Sequence, residues 1–255
     1  MQLVAVTTIV RSRQEFIYER AANSGVTSDL VSFSDLRTAA YCPRKLYYRQ
    51  TRDTDREPPP TVDAVRSLEP RYEELLETPP GTLEDEPIAV SPVRYRERLA
   101  ATRDRLDADG QWERLREPSE RARLVTGRDC RGIVHKVLTA PLEPVIVSAG
   151  EPPPRGVWES QSVHAVAAAK ALAWEHETSV DRVWLEYPAY GVVRSLAMTT
   201  RRKARYRRTL RAVRELDGPP PRTANRSKCD ACEFAASCGV RTRTLRSVLG
   251  FGRGD

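Results

Sequence analysis

The stretch GIVHKVLTAPLEPVIVSAG, which runs from Gly132 to Gly150, holds two short runs rich in β-branched residues with a turn between them. Runs of this length and composition predict β-strands. A third such run, ARLVTG, precedes them at 122–127, and DRVWLEY and GVVRSLAM follow at 181–187 and 191–198. The five runs together predict a β-sheet in the middle of the chain.

Helices separate and flank these strands. The alanine-rich segment 161–177 predicts a helix between the third and fourth strands, since alanine has the highest helix propensity. Upstream, SFSDLRTAAYCPRKLYYRQ at 32–50 predicts two short helices, the first capped by Ser34. Pro43 cannot continue the first helix but fits the first turn of the second. A sheet with interspersed helices predicts an α/β fold.

The composition limits the class of partner. The chain has 255 residues, of which 40% are hydrophobic, so it is long enough to bury a core. A formal charge of +7 and a pI near 9.3 favour polyanionic partners, whereas a solvated arginine-rich surface is the alternative. No apolar run approaches the roughly 20 residues of a membrane span, and the N-terminal residues do not resemble a secretory signal. We therefore expect a cytoplasmic protein without a membrane partner.

The segment CDACEFAASC places three of the five cysteines within ten residues, at Cys229, Cys232 and Cys238. In a reducing compartment, such clustering indicates metal or redox chemistry more than disulfides. We expect the fourth ligand to be Cys42, which lies at the bend between the two predicted helices beside two basic residues that favour the thiolate. Cys130 is expected to be an ordinary small residue. Four cysteines suit zinc and an iron–sulfur cluster about equally.

A basic helix is predicted after the last strand. Eight basic residues and no acidic residue occur between Arg201 and Arg214. Three apolar residues share one face and are expected to pack inward, namely Tyr206, Leu210 and Val213. Another face carries Arg201, Arg205 and Arg208. This second face is suited to a phosphate backbone, with an affinity that falls with salt, although a merely solvated helix is the alternative.

Several of these motifs occur together in a known family. FSDLRTAAYCPRKLYY at 33–48, the strand at 132–138, the helix that begins with Gln161 and KCDACEFAASC at 228–238 resemble the CRISPR-associated RecB-like iron–sulfur exonucleases, called here the Cas-four family. The resemblance covers roughly Ser32 to Val240. It implies the PD-(D/E)XK restriction-endonuclease-like fold, which is a mixed α/β sheet flanked by helices, with an N-terminal helical segment and a C-terminal four-cysteine iron–sulfur cap.

The chain is thereby expected to divide into segments with different roles. The division is an N-terminal arm or strand at 1–31, a nuclease-like α/β domain at 32–228 with a helical insertion near 60–116, a cysteine cluster at 229–240 that closes on Cys42, and a tail at 241–255.

The resemblance also implies a cofactor and partners. The family holds a 4Fe–4S cluster with one cysteine from the first element and three from the last. Carried over by position, the ligands are Cys42, Cys229, Cys232 and Cys238, and this favours iron–sulfur over zinc. The implied partners are DNA, in particular single-stranded DNA, and the CRISPR integrase complex during spacer capture.

The nuclease site that the resemblance implies lacks its essential groups. The family requires an aspartate at the end of the strand that reads GIVHKVL here, and Glu-x-Lys on the next strand. Carboxylates hold a magnesium or manganese ion, which activates water. The corresponding positions are His135, Ser148 and Gly150, none of which supplies a carboxylate or an amine. The Gln-x-x-x-Tyr element of the family keeps Gln161 but has Ala165 in place of tyrosine.

Other residues are not expected to restore the site. Three carboxylates are near in sequence, namely Asp129, Glu143 and Glu151. Glu151 follows the degraded strand directly, but adjacent strand residues face opposite sides and the prolines that follow stiffen the chain. Lys136 should likewise face away from His135. We expect His135 to be a partly buried neutral histidine, and a transition-metal site shared with His164 is the less favoured alternative.

These residues predict an iron–sulfur protein that binds DNA, or a protein partner on DNA, and has lost hydrolysis. It would act beside the CRISPR integrase or would regulate an active relative. Two alternatives remain open. One is an active magnesium- or manganese-dependent single-stranded DNA exonuclease in spacer acquisition or DNA repair, and the other is a structural zinc-binding protein.

Overall fold

The computed structural model describes residues 30–52 and 59–239. Most of the predicted N-terminal arm and the whole of the predicted tail lie outside these residues. Within them, no helix is long and apolar enough to cross a membrane.

A six-stranded mixed sheet lies at the centre of the described chain, and five of its strands are those that the sequence predicts. Its strands are β1 (Val31–Ser32), β2 (Glu120–Thr126), β3 (Cys130–Leu138), β4 (Glu143–Val147), β5 (Arg182–Tyr187) and β6 (Val192–Ala197). The order is β1-β3-β4-β5-β6, with β2 also paired to β3. The β1–β3 and β4–β5 pairs are parallel, and the other pairs are antiparallel. The pairing fixes which side chains share a face.

Helices precede, interrupt and follow the sheet. They are α1 (Phe33–Tyr41), α2 (Pro43–Thr51), α3 (Pro60–Arg66), α4 (Tyr72–Glu77), α5 (Pro92–Asp107), α6 (Gln111–Arg116), α7 (Glu159–Glu175), α8 (Thr200–Arg214) and α9 (Ser227–Asp230). The prediction of Ser34 as the first cap is wrong, because the Ser32 hydroxyl accepts the amide of Asp35 at 3.0 Å and Phe33 already begins α1. Pro43 is the first residue of α2, as predicted.

One face of the sheet packs against α1, α7 and α8. Its core includes Leu36 from α1, the alanines of α7, and Tyr206 and Leu210 from α8. Helix α1 approaches β3 closely at Gly132, where an added Cβ would lie 2.3 Å from Cδ2 of Phe33. A side chain at that position would therefore displace α1 from the sheet.

The other face is covered by the helices between Tyr72 and Arg116. Leu75, Leu99 and Trp112 from these helices pack with Val145 and Trp184 of the sheet. Gly191 allows the contact with α5, because its φ is +63° and an added Cβ would lie 3.0 Å from the amide nitrogen of Leu99. The sheet is thus enclosed between two helical layers.

Candidate functional site

Cys42 lies at the bend between α1 and α2. Its backbone is extended, with φ −160° and ψ 111°, and its amide still donates to the carbonyl of Thr38 at 2.9 Å. Because Pro43 follows, the chain cannot continue α1 and turns directly into α2. The local sequence therefore fixes the backbone from which the thiol projects.

The three C-terminal cysteines lie in α9 and the turns after it. The Cys232 amide donates to the carbonyl of Cys229 at 3.1 Å, and the Cys238 amide donates to the carbonyl of Phe234 at 2.8 Å. One cavity is lined by Cys42 and by all three of these residues. The structure therefore brings together the four cysteines that the sequence predicts as ligands, although Cys42 is far from the other three in sequence.

Contacts other than a cofactor join the two walls of this cavity. The hydroxyl of Tyr48 donates to the carbonyl of Ser237 at 3.2 Å, and its ring stacks on Phe234 with centroids 5.9 Å apart. Arg44 donates to the carbonyl of Pro220 at 2.8 Å. Lys45 pairs with Glu233 at 3.2 Å. The helices α1 and α2 thus hold the cysteine-rich segment in place through ordinary side-chain contacts.

The thiols that line the cavity are close enough to change one another's pKa values. The pKa of Cys229 is raised first by desolvation and then by the negative charge of Cys42, Cys238 and Cys232. Four thiolates without a cation would therefore repel one another, and a bound cationic centre would relieve that repulsion. The described residues hold no group of three or more ligating side chains arranged around a single metal ion.

Cys130, which the sequence leaves out of the site, lies elsewhere in the core. It is 1% exposed, its thiol contacts the carbonyl of Ala167 at 3.6 Å, and the hydroxyl of Tyr206 donates to its sulfur at 3.3 Å. Burial raises its pKa to about 11. A neutral buried thiol of this kind is a packing residue, as the sequence predicts.

The residues that replace the nuclease motif lie on the α7 side of the sheet. Lys136 pairs with Val145 at the last step of the register between β3 and β4, and Ile146, the next residue of β4, packs in the core on the α7 side. Strand β4 ends at Val147, and Ser148 and Gly150 follow it. The end of β4 therefore presents an apolar side chain, not a carboxylate, on this side of the sheet.

Gln161 closes this part of the site with a satisfied hydrogen-bond network. Its side-chain amide donates to the hydroxyl of Ser148 at 3.0 Å, and its carbonyl oxygen accepts from the hydroxyl of Tyr187 at 2.7 Å and from the amide of Trp158 at 3.3 Å. Burial raises the pKa of Tyr187 to about 12, so this phenol acts as a neutral donor. The sequence identifies Gln161 but gives no signal for Tyr187 as its partner.

Both histidines of this face are neutral. Burial is the main cause of a pKa of about 3 for His164, and burial also lowers the pKa of His135 well below its ordinary value. The positive charges of Arg37 and Arg66 lower both values further. His135 is partly buried, as predicted.

The carboxylates considered as replacements make other contacts. Asp129 pairs with Arg214 at 3.2 Å. Glu143 accepts the indole N–H of Trp184 at 2.7 Å. Glu151 is an exposed residue whose backbone carbonyl accepts the indole N–H of Trp158 at 2.7 Å.

Lys136 faces away from His135, as predicted, and enters a buried ionic network. Its ammonium donates to Glu186 at 2.8 Å and to the carbonyl of Leu115 at 2.7 Å, and it also pairs with Glu69. The hydroxyl of Tyr72 donates to the other oxygen of Glu186 at 3.3 Å. The sequence gives no signal for this network, because its acids come from distant segments.

The basic helix is α8, and its faces are those that the sequence predicts. Tyr206 and Leu210 are buried, and Val213 packs against the same core. Arg201, Arg205 and Arg208 are exposed. Arg205 forms an ion pair with Glu159 at the start of α7.

Comparisons with known proteins add little to this geometry. No protein-family model and no curated protein sequence matches the chain. Among solved structures, a candidate exonuclease from Eubacterium rectale is 14% identical, with 99% of this chain and 100% of that chain covered and a TM-score of 0.47. A protein named SSO0001 is 11% identical, with 90% and 98% covered and a TM-score of 0.41. Likenesses this weak carry no functional argument.

Proposed function

We propose that this chain is an iron–sulfur protein that binds nucleic acid and does not hydrolyse it. The observation that carries the proposal is the convergence of Cys42 with Cys229, Cys232 and Cys238 on one cavity. Side-chain contacts also join the two segments, but a shared ligand gives the reason why all four thiols line the same cavity.

The residues present fit a 4Fe–4S cluster better than a zinc ion. Zinc sites with four cysteines usually take them as two Cys-x2-Cys pairs, whereas here three cysteines lie in one segment and the fourth is far away in sequence. A cluster spreads its irons over a larger volume and takes one thiolate at each, so four thiols around a cavity suit it. Cys42, Cys229, Cys232 and Cys238 would hold it. When bound, such a group supplies a cross-link between the two ends of the domain and a centre that can change oxidation state.

The loss of hydrolysis follows from the groups at the degenerate site. A divalent ion needs carboxylate oxygens, but this side of the sheet carries Ile146, Ser148 and Gln161. The hydrogen bonds of Ser148 and Gln161 are already satisfied within the protein. Without a metal ion, no described residue there is placed to activate water for attack on a phosphate.

Nucleic acid is the proposed partner because of the exposed basic face of α8. Arg201, Arg205 and Arg208 lie along one side of that helix, where cationic side chains can follow a phosphate backbone. The resemblance to the Cas-four family extends the proposal to single-stranded DNA and to a role beside the CRISPR integrase during spacer capture. Regulation of an active relative is the alternative role.

Anaerobic purification tests the cofactor. We expect brown protein that contains iron and sulfide, and we expect Cys232→Ala to lose both. Cys130→Ala is the matched control, because it removes a cysteine outside the cavity. Colourless protein that contains zinc would overturn the iron–sulfur proposal in favour of a structural zinc protein.

A nuclease assay tests the loss of hydrolysis. We expect labelled single-stranded DNA to stay intact with magnesium or manganese present while a mobility shift shows that it binds. Manganese-dependent degradation that Glu151→Ala abolishes would support instead the alternative of an active exonuclease, with Glu151 as a metal ligand.

A further inference from the structure

The α7 side of the sheet holds a group of cationic and imidazole side chains that the proposed function does not yet explain. We call it the cationic cluster, and its members are Arg37, Arg66, His135 and His164. They come from α1, α3, β3 and α7 respectively. After burial, the groups that lower the pKa of His135 most strongly are Arg66, His164 and Arg37. Helix α3 contacts the turn at Pro188–Tyr190, directly after Tyr187, which brings Arg66 to this end of the sheet.

The cluster has little negative charge to balance it among the described residues. Arg37 is exposed at the edge of the cluster, and its pKa is lowered first by desolvation and then by the positive charge of Arg66, with no carboxylate of residues 30–52 and 59–239 opposing these effects. Arg66 pairs at 3.3 Å with Asp63, an exposed neighbour on its own helix. An exposed pair of this type contributes little. Asp63 therefore offsets little of the repulsion between the two guanidinium groups.

Unpartnered polar atoms point to an external ligand. Nδ1 of His135 and Nε of Arg66 are buried and have no hydrogen-bond partner within the described part of the chain. His164 is only 9% exposed, and it contacts Phe33 through its ring. Buried polar groups of this kind cost free energy unless a ligand satisfies them. The arginines can only donate hydrogen bonds and each neutral imidazole can donate one, so a ligand with several acceptor oxygens would satisfy these groups.

We propose that the cationic cluster binds a phosphate group directly, without a metal ion. A hydrolytic site holds phosphate through a cation on carboxylates, whereas this site carries its positive charge on the protein itself. Guanidinium groups match phosphate oxygens with two parallel hydrogen bonds, and neutral imidazoles add further donors. The proposal deepens the proposed function, on which it rests where the phosphate belongs to DNA. The phosphate is that of a strand terminus, an internal phosphodiester or free phosphate.

Two pairs of substitutions separate the cluster from general basic charge. The double variant Arg37→Gln and Arg66→Gln, called the cluster pair, removes both guanidinium groups of the cluster. The double variant Arg94→Gln and Arg128→Gln, called the control pair, removes the same charge from two exposed arginines outside the cluster. All proteins are studied with EDTA present, as full chains that carry their native cofactor, and circular dichroism verifies their fold.

The first measurement is the thermal midpoint with inorganic phosphate against chloride at equal ionic strength. We expect phosphate to raise the midpoint of the wild type and of the control pair, and to leave that of the cluster pair unchanged. This measurement does not need DNA, so it distinguishes failure of the cluster proposal from failure of the proposed function. An equal response of all three proteins would overturn the cluster proposal.

The second measurement is the fluorescence anisotropy of an oligothymidylate with a 5′-phosphate or a 5′-hydroxyl. We expect the cluster pair to bind about tenfold more weakly than the control pair. If only the 5′-phosphorylated strand binds more weakly to the cluster pair, the ligand is a terminal phosphate. If both strands lose affinity equally, the ligand is an internal phosphodiester. If neither strand loses affinity but phosphate still raises the thermal midpoint of the wild type, the ligand is free phosphate. Binding that requires added magnesium would overturn the proposal.

His135→Asp provides an independent check if the cluster pair does not fold. A carboxylate at this position would neutralise the arginines, so we expect a higher thermal midpoint without phosphate and no further rise when phosphate is added. A phosphate response like that of the wild type would overturn the assignment.

Discussion

Tyr41 and Lys228 exchange two hydrogen bonds although 187 positions separate them in sequence. The hydroxyl of Tyr41 donates to the carbonyl of Lys228 at 3.1 Å, and the ammonium of Lys228 donates to the carbonyl of Tyr41 at 2.8 Å. The same ammonium lies 4.9 Å from the centroid of the Tyr41 ring. Cys42 and Cys229 follow these two residues directly, so the paired contact sets the spacing of two cavity thiols before any cofactor binds.

Loss of the cofactor should loosen the C-terminal segment. The contacts of Tyr41 and Lys228 are exposed and contribute modestly, so most of the closure between residues 42 and 229 is expected to come from the cluster. We predict that the Cys232→Ala protein is cut by trypsin after Arg226 or Lys228 about tenfold faster than the wild type. This ratio corresponds to about 1.4 kcal/mol of local stability.

Limited proteolysis with mass spectrometry of the fragments measures this rate. Cys130→Ala should be cut at the wild-type rate, since it keeps all four cavity thiols. Equal cleavage of the cofactor-loaded and Cys232→Ala proteins would mean that side-chain contacts alone hold the segment.

The buried ionic network makes Lys136 a sensitive position for stability. Lys136 is 1% exposed, and it balances Glu186 and Glu69, which are 0% and 7% exposed. Lys136→Met leaves the buried Glu186 without a cation, although Glu69 keeps its ion pair with Arg121 at 2.8 Å, and should lower the free energy of unfolding by about 3–5 kcal/mol. Urea denaturation measures the change. The exposed Lys170→Met should change it little.

Restoring neutrality should recover this loss. The triple variant Lys136→Met, Glu186→Gln and Glu69→Gln carries no buried charge in the network and should regain most of the stability. If the triple variant were no more stable than Lys136→Met, packing rather than charge would explain the effect.

The same network gives a pH dependence with a defined sign. Burial raises the pKa of Glu186 from 4.5 to about 6, so the folded state binds a proton more tightly than the unfolded state. Its contribution to the free energy of unfolding should therefore fall by about 2 kcal/mol as the pH rises from 4.5 to 6. Glu186→Gln lacks this dependence. Urea denaturation at several pH values measures the difference in the free energy of unfolding between the wild type and Glu186→Gln. We expect this difference to change with pH between 4.5 and 6, and a difference that is independent of pH would contradict the prediction.

The strands and the long helices could be predicted from the sequence, because hydrophobic periodicity and residue composition over a few neighbouring residues determine them. The error at the start of α1 has the same origin, since Ser32 and Ser34 are chemically equivalent caps and only the backbone selects between them. Cys42 and the C-terminal cysteines could be matched because few cysteines were available for one site.

The pairing across strands and the cationic cluster could not be predicted in this way. The side of the sheet on which Ile146 lies depends on the hairpin between β3 and β4 and on the register that it sets. Arg37 and Arg66 affect the pKa of His135 from α1, which contacts β3, and from α3, which contacts the turn at Pro188–Tyr190. No motif links these residues, since each belongs to a separate segment of sequence.

Nucleic-acid affinity should depend on one face of α8 rather than on its total charge. Changing Arg201, Arg205 and Arg208 to glutamate should abolish a salt-sensitive mobility shift and reduce the slope of affinity against salt. Changing Lys203, Arg207 and Arg211, which are exposed on another face of the same helix, alters the net charge equally. The second variant should keep most of the affinity. Equal losses would mean that α8 acts through its charge alone, and a shift intact in the first variant would exclude α8.

The exposed Trp158 should distinguish single from double strands. It is 49% exposed, its indole N–H is fixed by the carbonyl of Glu151 at 2.7 Å, and its neighbour Glu159 contacts Arg205. A fixed aromatic ring beside a basic face can stack on an unpaired base, so Trp158→Ala should weaken single-strand binding by about 1–3 kcal/mol and duplex binding less. Trp174, 58% exposed and about 24 Å away along α7, is the matched control. Anisotropy titrations that show equal effects of the two substitutions, or equal effects on both kinds of strand, would exclude stacking on Trp158.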